Sequence, residues 1–140
     1  MQFCAAFYKG TRPGVAGIYN RLVRWWDNGA YSHCELIFSD GIAASASFMD
    51  GGVRFKKIDF DSERWDFITL MVSSESLARE WFTNHEGAKY DLVGNIRFAL
   101  DFLPDNKLKW FCSEAVAASL GKAEPWRLGP NGLAAYLRSK

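Results

Sequence analysis

Five short runs of strand character fall within the first 72 residues of this chain, and the helical patterns gather mainly after them. The runs are QFCAAFY (2–8), YSHCELIF (31–38), IAASASF (42–48), VRFKKIDF (53–60) and WDFITLMV (65–72). Strands first and helices afterwards favour an α+β domain, with one antiparallel sheet of four to five strands packed by helices. SDG at 39–41 and DGG at 50–52 are tight-turn sequences, so the three runs between 31 and 60 read as successive antiparallel strands.

One helical pattern interrupts the strands. Val15, Ile18, Tyr19, Leu22, Val23 and Trp26 follow the i, i+3, i+4 rhythm of an amphipathic helix, with Pro13 suited to its start. The remaining helices are expected at 73–87, at 91–103 before Pro104, from Cys112 to the glycine at 121, and at 129–140. There is no repeat, low-complexity tract or linker, so residues 1–140 read as one domain.

Composition narrows the function classes. The chain is 49% hydrophobic and 16% aromatic, enough for a sizeable core and some groove-lining rings. Trp25, Trp26, Trp65, Trp81, Trp110 and Trp126 suit either place. The formal net charge of +1, with basic residues scattered, gives no nucleic-acid footprint. No apolar run reaches the roughly 18 residues of a membrane span. MQFCAAFYKG lacks the charged start and long apolar stretch of a signal peptide, so a cytoplasmic location is expected. Such a small chain would also suit a phage-encoded or accessory protein. Cys4, Cys34 and Cys112 have no paired spacing, which implies neither a disulfide framework nor a structural zinc site. No nucleotide loop is present, no cofactor is implied, and oligomeric state is not readable.

The chemistry, if there is any, centres on KLKWFCSEAVAASLG. Cys112 stands at the first turn of a small-residue helix, where free N–H groups and the helix dipole favour a thiolate. Glu114 opposes this with its own charge, although an acid suits a helix start. A small buried hydrophobe is the alternative role for Cys112. A nucleophile needs a base, and the chain has two histidines. His85 lies at a polar helix end and reads as a solvated residue. His33 lies in a strand, where burial would demand a hydrogen-bonding reason; a structural role is the alternative. Alternation puts Glu35 on the His33 face and Cys34 on the other, as core. Candidates to orient the imidazole are Glu35 and, across the turn, Ser45, with Ser47 on the same face; Asp50 lies beyond the strand. Tyr8, at the end of the first strand, is either an extra hydrogen-bond donor or a packed ring.

The SHCELIF strand, the following strand, GGVRF, the late GAKYD segment and the helix opening FCSEAV together resemble the circularly permuted papain-like, NlpC-type superfamily. The closest likeness is to its YiiX-type branch, and it covers roughly residues 1–135. In that group the histidine strand precedes the helix bearing the nucleophilic cysteine. The resemblance implies Cys112 as nucleophile and His33 as base. The acid or histidine often seen on the next strand is missing, and Ser45 is the nearest polar match. A thiol hydrolase cleaving amide bonds of peptides, cell-wall peptides included, is what the resemblance implies. Its substrate would be a peptide or an acyl compound. A thiol acyltransferase or esterase on lipid-like substrates, and a non-catalytic binding module that kept the fold, are the alternatives.

Overall fold

A computed structural model describes residues 1–10, 29–47, 50–90, 109–110 and 112–140. The helices expected at 15–26 and 91–103 lie outside the described residues. The strands are β1 (Cys4–Tyr8), β2 (His33–Ile37), β3 (Ala43–Ser47), β4 (Gly52–Lys56) and β5 (Trp65–Thr69). A two-residue parallel pairing joins β6 (Lys89–Tyr90) to β7 (Lys109–Trp110). The helices are α1 (Glu75–His85), α2 (Cys112–Ser119) and α3 (Pro130–Arg138), with 3-10 turns at Val72–Ser74 and Pro125–Arg127. The fold is therefore α+β, as the order of runs and helices predicts.

The main sheet has the order β4-β3-β2-β1-β5, antiparallel throughout. The hairpins build one half by simple succession. β1, the first strand made, pairs with both β2 and β5 and so lies inside the sheet. Its sequence, CAAFY, is buried along its whole length.

Strand alternation divides the side chains into two sets. One face carries Ala5, Phe7, Cys34, Leu36, Ala44, Ala46 and Val53, and packs on Ala78 and Phe82 of α1, Ala115 and Val116 of α2, and Leu133 of α3. The other carries Tyr8, His33, Glu35, Ser45, Arg54 and Trp65, as the registers Tyr8–His33, Tyr8–Trp65, Ala6–Glu35 and Ser45–Arg54 require. The small side chains of AASAS suit a strand crowded from both sides. Alanines on one face let α2 approach, and serines on the other leave room for longer neighbours.

The run VRFKKIDF leaves the ladder at Lys56, earlier than its alternation suggests. Ile58 and Phe60 instead fold over Trp65 and Ile37 as a second, smaller cluster. At the far end of α2, Gly121 takes a φ of +79°, and the Lys122 N–H donates to the Ala117 carbonyl at 3.0 Å. A glycine reaches this left-handed conformation without a Cβ clash, which ends the helix where the sequence places its stop.

Candidate active site

The site forms where the first residue of β2 meets the first residue of α2. His33 begins the strand, Cys112 begins the helix, and both are buried. The nearly all-buried face of α2 needs close contact with the sheet, and residues such as Ala115, Ala117 and Ser119 permit it. That contact brings the Cys112 sulfur to the end of β2. There it shares a hydrogen bond with the His33 ring, and it accepts hydrogen bonds from the Cys34 thiol and the Cys34 N–H.

Behind the imidazole, His33 Nε2 lies 2.7 Å from Glu35 Oε1. With Nε2 committed to the carboxylate, Nδ1 is the nitrogen left for the thiol. The Trp65 ring meets the imidazole edge-on, with centroids 6.3 Å apart, and Tyr8 packs against Trp65 at 5.0 Å. The ring is thus held by a hydrogen bond and by aromatic walls.

Glu35 is 1% exposed, so its charge demands partners. Arg54 supplies them from β4. Its guanidinium reaches across β3 and grips the carboxylate at both oxygens, with Nη1 donating to Oε2 at 2.7 Å and Nη2 donating to Oε1. Arg54 Nε donates to Asp50 Oδ2 at 2.8 Å, and Lys56 Nζ donates to Asp50 Oδ1 at 3.1 Å.

These contacts set the protonation states. Burial alone would push the Cys112 thiol up, but hydrogen bonds from Cys34 and the charge of His33 hold it well below the ordinary thiol range. Burial opposes a charge on His33, but the Cys112 sulfur and then Glu35 outweigh it and raise the imidazole to about 9. Burial also opposes ionisation of Glu35, yet Arg54 and then His33 bring it down to about 2. The shifts all run toward the charged forms, a thiolate, an imidazolium and a carboxylate in a row.

Of the candidates read from sequence, Cys112, His33 and Glu35 come together. Ser45 does not join them: its hydroxyl donates to the Cys34 carbonyl at 2.7 Å. The recorded β2–β3 ladder covers Leu36–Ala44 and Ile37–Ala43, and the Ser45 hydroxyl takes over beyond it. A serine oxygen sits one bond from Cβ and satisfies the nearest carbonyl, while Glu35 reaches the ring. Tyr8 lies opposite His33 in the β1–β2 register and is 4% exposed. Glu114 is buried in the first turn of α2. Next to Cys112, the Ser113 hydroxyl is buried with no hydrogen-bond partner among the described residues.

His85 departs from its expected place in solvent. It is half-buried, stacks on Trp81 at 3.9 Å, and its Nδ1 lies 2.7 Å from the Trp81 carbonyl. Arg54 is the site residue that the sequence reading missed. Its signal was its alternation in GVRFK, which puts it on the Ser45 face. Among the described residues, no group of three or more His, Cys, Asp or Glu side chains is gathered as a metal site requires, and no helix is long and apolar enough to cross a membrane. Compared with known protein families and with curated proteins, the sequence matches none of them.

Proposed function

We propose that this chain is a thiol hydrolase, a cysteine peptidase or amidase, built on the permuted papain-like plan. The observation that carries the reading is the buried row Cys112–His33–Glu35, with a thiolate at one end and an ionised carboxylate at the other. A packing cysteine needs neither. The chain order, histidine strand before cysteine helix, fits the NlpC-type resemblance.

In this mechanism the Cys112 thiolate attacks the acyl carbon of an amide, and the carbonyl π electrons move onto oxygen. The Cys112 N–H, at the helix start, would help to hold the developing oxyanion, with the Tyr8 hydroxyl as a candidate second donor. Collapse of the intermediate breaks the C–N bond, and His33 gives its Nδ1 proton to the leaving amine. The neutral imidazole then takes a proton from water, which attacks the thioester. The C–S bond breaks, the acid leaves, and the thiolate–imidazolium pair is restored. Glu35 keeps Nε2–H pointed at itself, so that Nδ1 is the basic nitrogen when the ring is neutral.

The test has two arms. Iodoacetamide should label Cys112 ahead of Cys4 and Cys34 at pH 6, and His33→Ala should abolish that preference. Peptide, muropeptide and acyl-ester substrates should then be screened for turnover that depends on Cys112. If Cys112 alkylates no faster than a free model thiol, the proposal fails.

A further inference from the structure

We infer that Arg54 is the positioning residue of this site: by gripping both oxygens of Glu35, it fixes the proton on His33 and selects the imidazole tautomer. The inference rests on the thiol-hydrolase reading and deepens it.

Consider Glu35 without Arg54. A carboxylate that is 1% exposed, with one imidazolium as its partner, can relieve its burial by taking the proton. Glu35 would then be a neutral acid donating to His33 Nε2. An imidazole that accepts at Nε2 carries its hydrogen on Nδ1, so it cannot remove a proton from Cys112. With the imidazolium charge gone, Cys112 would take a proton from solvent, and the site would hold a thiol, a misprotonated ring and an inert acid.

Arg54 closes that route. Its fork donates to both carboxylate oxygens, one of them the oxygen that faces His33. With Arg54 and His33 both on that oxygen, a proton added to it would meet another donor instead of an acceptor. Arg54 is itself fixed, since Asp50 accepts from its Nε at 2.8 Å and its side chain is only 14% exposed. Among the described residues, no other charged side chain faces Glu35 in the register. Ala6 lies opposite it on β1, and the β3 neighbour that bonds to β2 is the neutral Ser45. Beyond His33 the next groups are the Cys112 sulfur with its donor Cys34, and Glu114 in the same helical turn. Lys56 acts at one remove, through Asp50.

A merely structural Arg54 would bridge β2 to β4 and affect stability alone. The two roles separate in the pH profile of Cys112 alkylation, followed by mass spectrometry of the labelled peptide. Iodoacetamide is the probe, so no substrate is needed. Arg54→Met is expected to raise the alkylation midpoint and slow labelling at pH 6 by tenfold or more. Arg54→Lys, which keeps the charge and loses the fork, is expected to fall between. Glu35→Gln cannot take up a proton, so adding Arg54→Met to it should produce no further shift. Asp50→Asn should move the midpoint in the same direction by less, and it carries the comparison if Arg54→Met does not fold. A low wild-type midpoint that neither Arg54→Met nor Asp50→Asn shifts overturns the role of Arg54 and leaves the hydrolase reading standing. An ordinary midpoint in the wild type overturns both.

Discussion

Cys34 lies one residue past His33, on the opposite face of β2, yet its thiol and N–H both donate to the Cys112 sulfur. Alternation alone makes it a core residue, and it is fully buried. The same burial puts a donor beside the thiolate where water cannot serve. Hydrogen bonds to charged groups contribute about 1.5–3 kcal/mol, and a thiol is a weak donor. Cys34→Ala is therefore expected to slow Cys112 alkylation at pH 6 by about tenfold, close to one pH unit; an unchanged rate would return Cys34 to packing alone. Ser113 gives the opposite case. Its buried hydroxyl has no partner among the described residues, so Ser113→Ala should leave stability unchanged or raise it by about 1 kcal/mol in urea denaturation. At this scale the sequence was legible where chemistry demands a rare residue type. A helix-start cysteine and a strand histidine stand out, and Glu35 follows from alternation. Arg54 did not stand out, because VRFKK looks like a solvated charged strand until the depth of Glu35 is known. Ser45 misled because the length of a side chain, as well as its face, decides what it can reach.

The element that aims Arg54 is β4, and β4 is seated by its first residues. The Val53 N–H donates to the Ala88 carbonyl at 2.7 Å, and the Gly87 N–H donates to the Val53 carbonyl at 2.9 Å. Gly52 has a φ of +146°, and a Cβ there would collide with the Ala88 carbonyl. Gly52→Ala must shift backbone against backbone, so a loss of about 2–4 kcal/mol is expected, read as a lower urea midpoint. Because Arg54 follows two residues later, the same change should slow Cys112 alkylation at pH 6. Loss of stability with unaltered alkylation would separate the seat of β4 from the site. All five strands were legible as runs, since turn sequences and apolar alternation mark them. Their ends were not: apolar content continues through Ile58 and Phe60 after the ladder stops, because those side chains close over Trp65. The short β6–β7 pairing had no signal, as two residues carry no periodicity.

Across the whole molecule, the buried charges tie stability to pH. Glu35 is brought from 4.5 down to about 2, so its contribution is complete above 4.5 and is lost as pH falls through about 2. That shift corresponds to about 3 kcal/mol. His33 is raised from 6.5 to about 9, so its contribution is complete below 6.5 and is lost as pH rises through about 9. Cys112, held below 9.0, runs the other way: its contribution is complete above 9.0 and shrinks as pH falls. Where the folded pair is thiolate and imidazolium and the unfolded pair thiol and imidazole, both bind the same number of protons, and the two slopes cancel. Urea midpoints should therefore change little from this pair between pH 6.5 and 9, and should drop between pH 4.5 and 2. The acid drop should be shallower in Glu35→Gln; an equal drop would place the lost charge elsewhere. The α+β class was legible at this scale from the order of runs and helices. The position of β1 inside the sheet was not, because pairing with β5 depends on contacts about sixty residues apart. That order has a further consequence for biosynthesis. His33, Glu35 and Arg54 leave the ribosome well before Cys112, and domains begin to fold while the chain is still growing. A nascent chain can thus bring His33, Glu35 and Arg54 together before Cys112 is made. On the proposed function, the paired thiolate would arrive only with α2, after the rest of the site has been made.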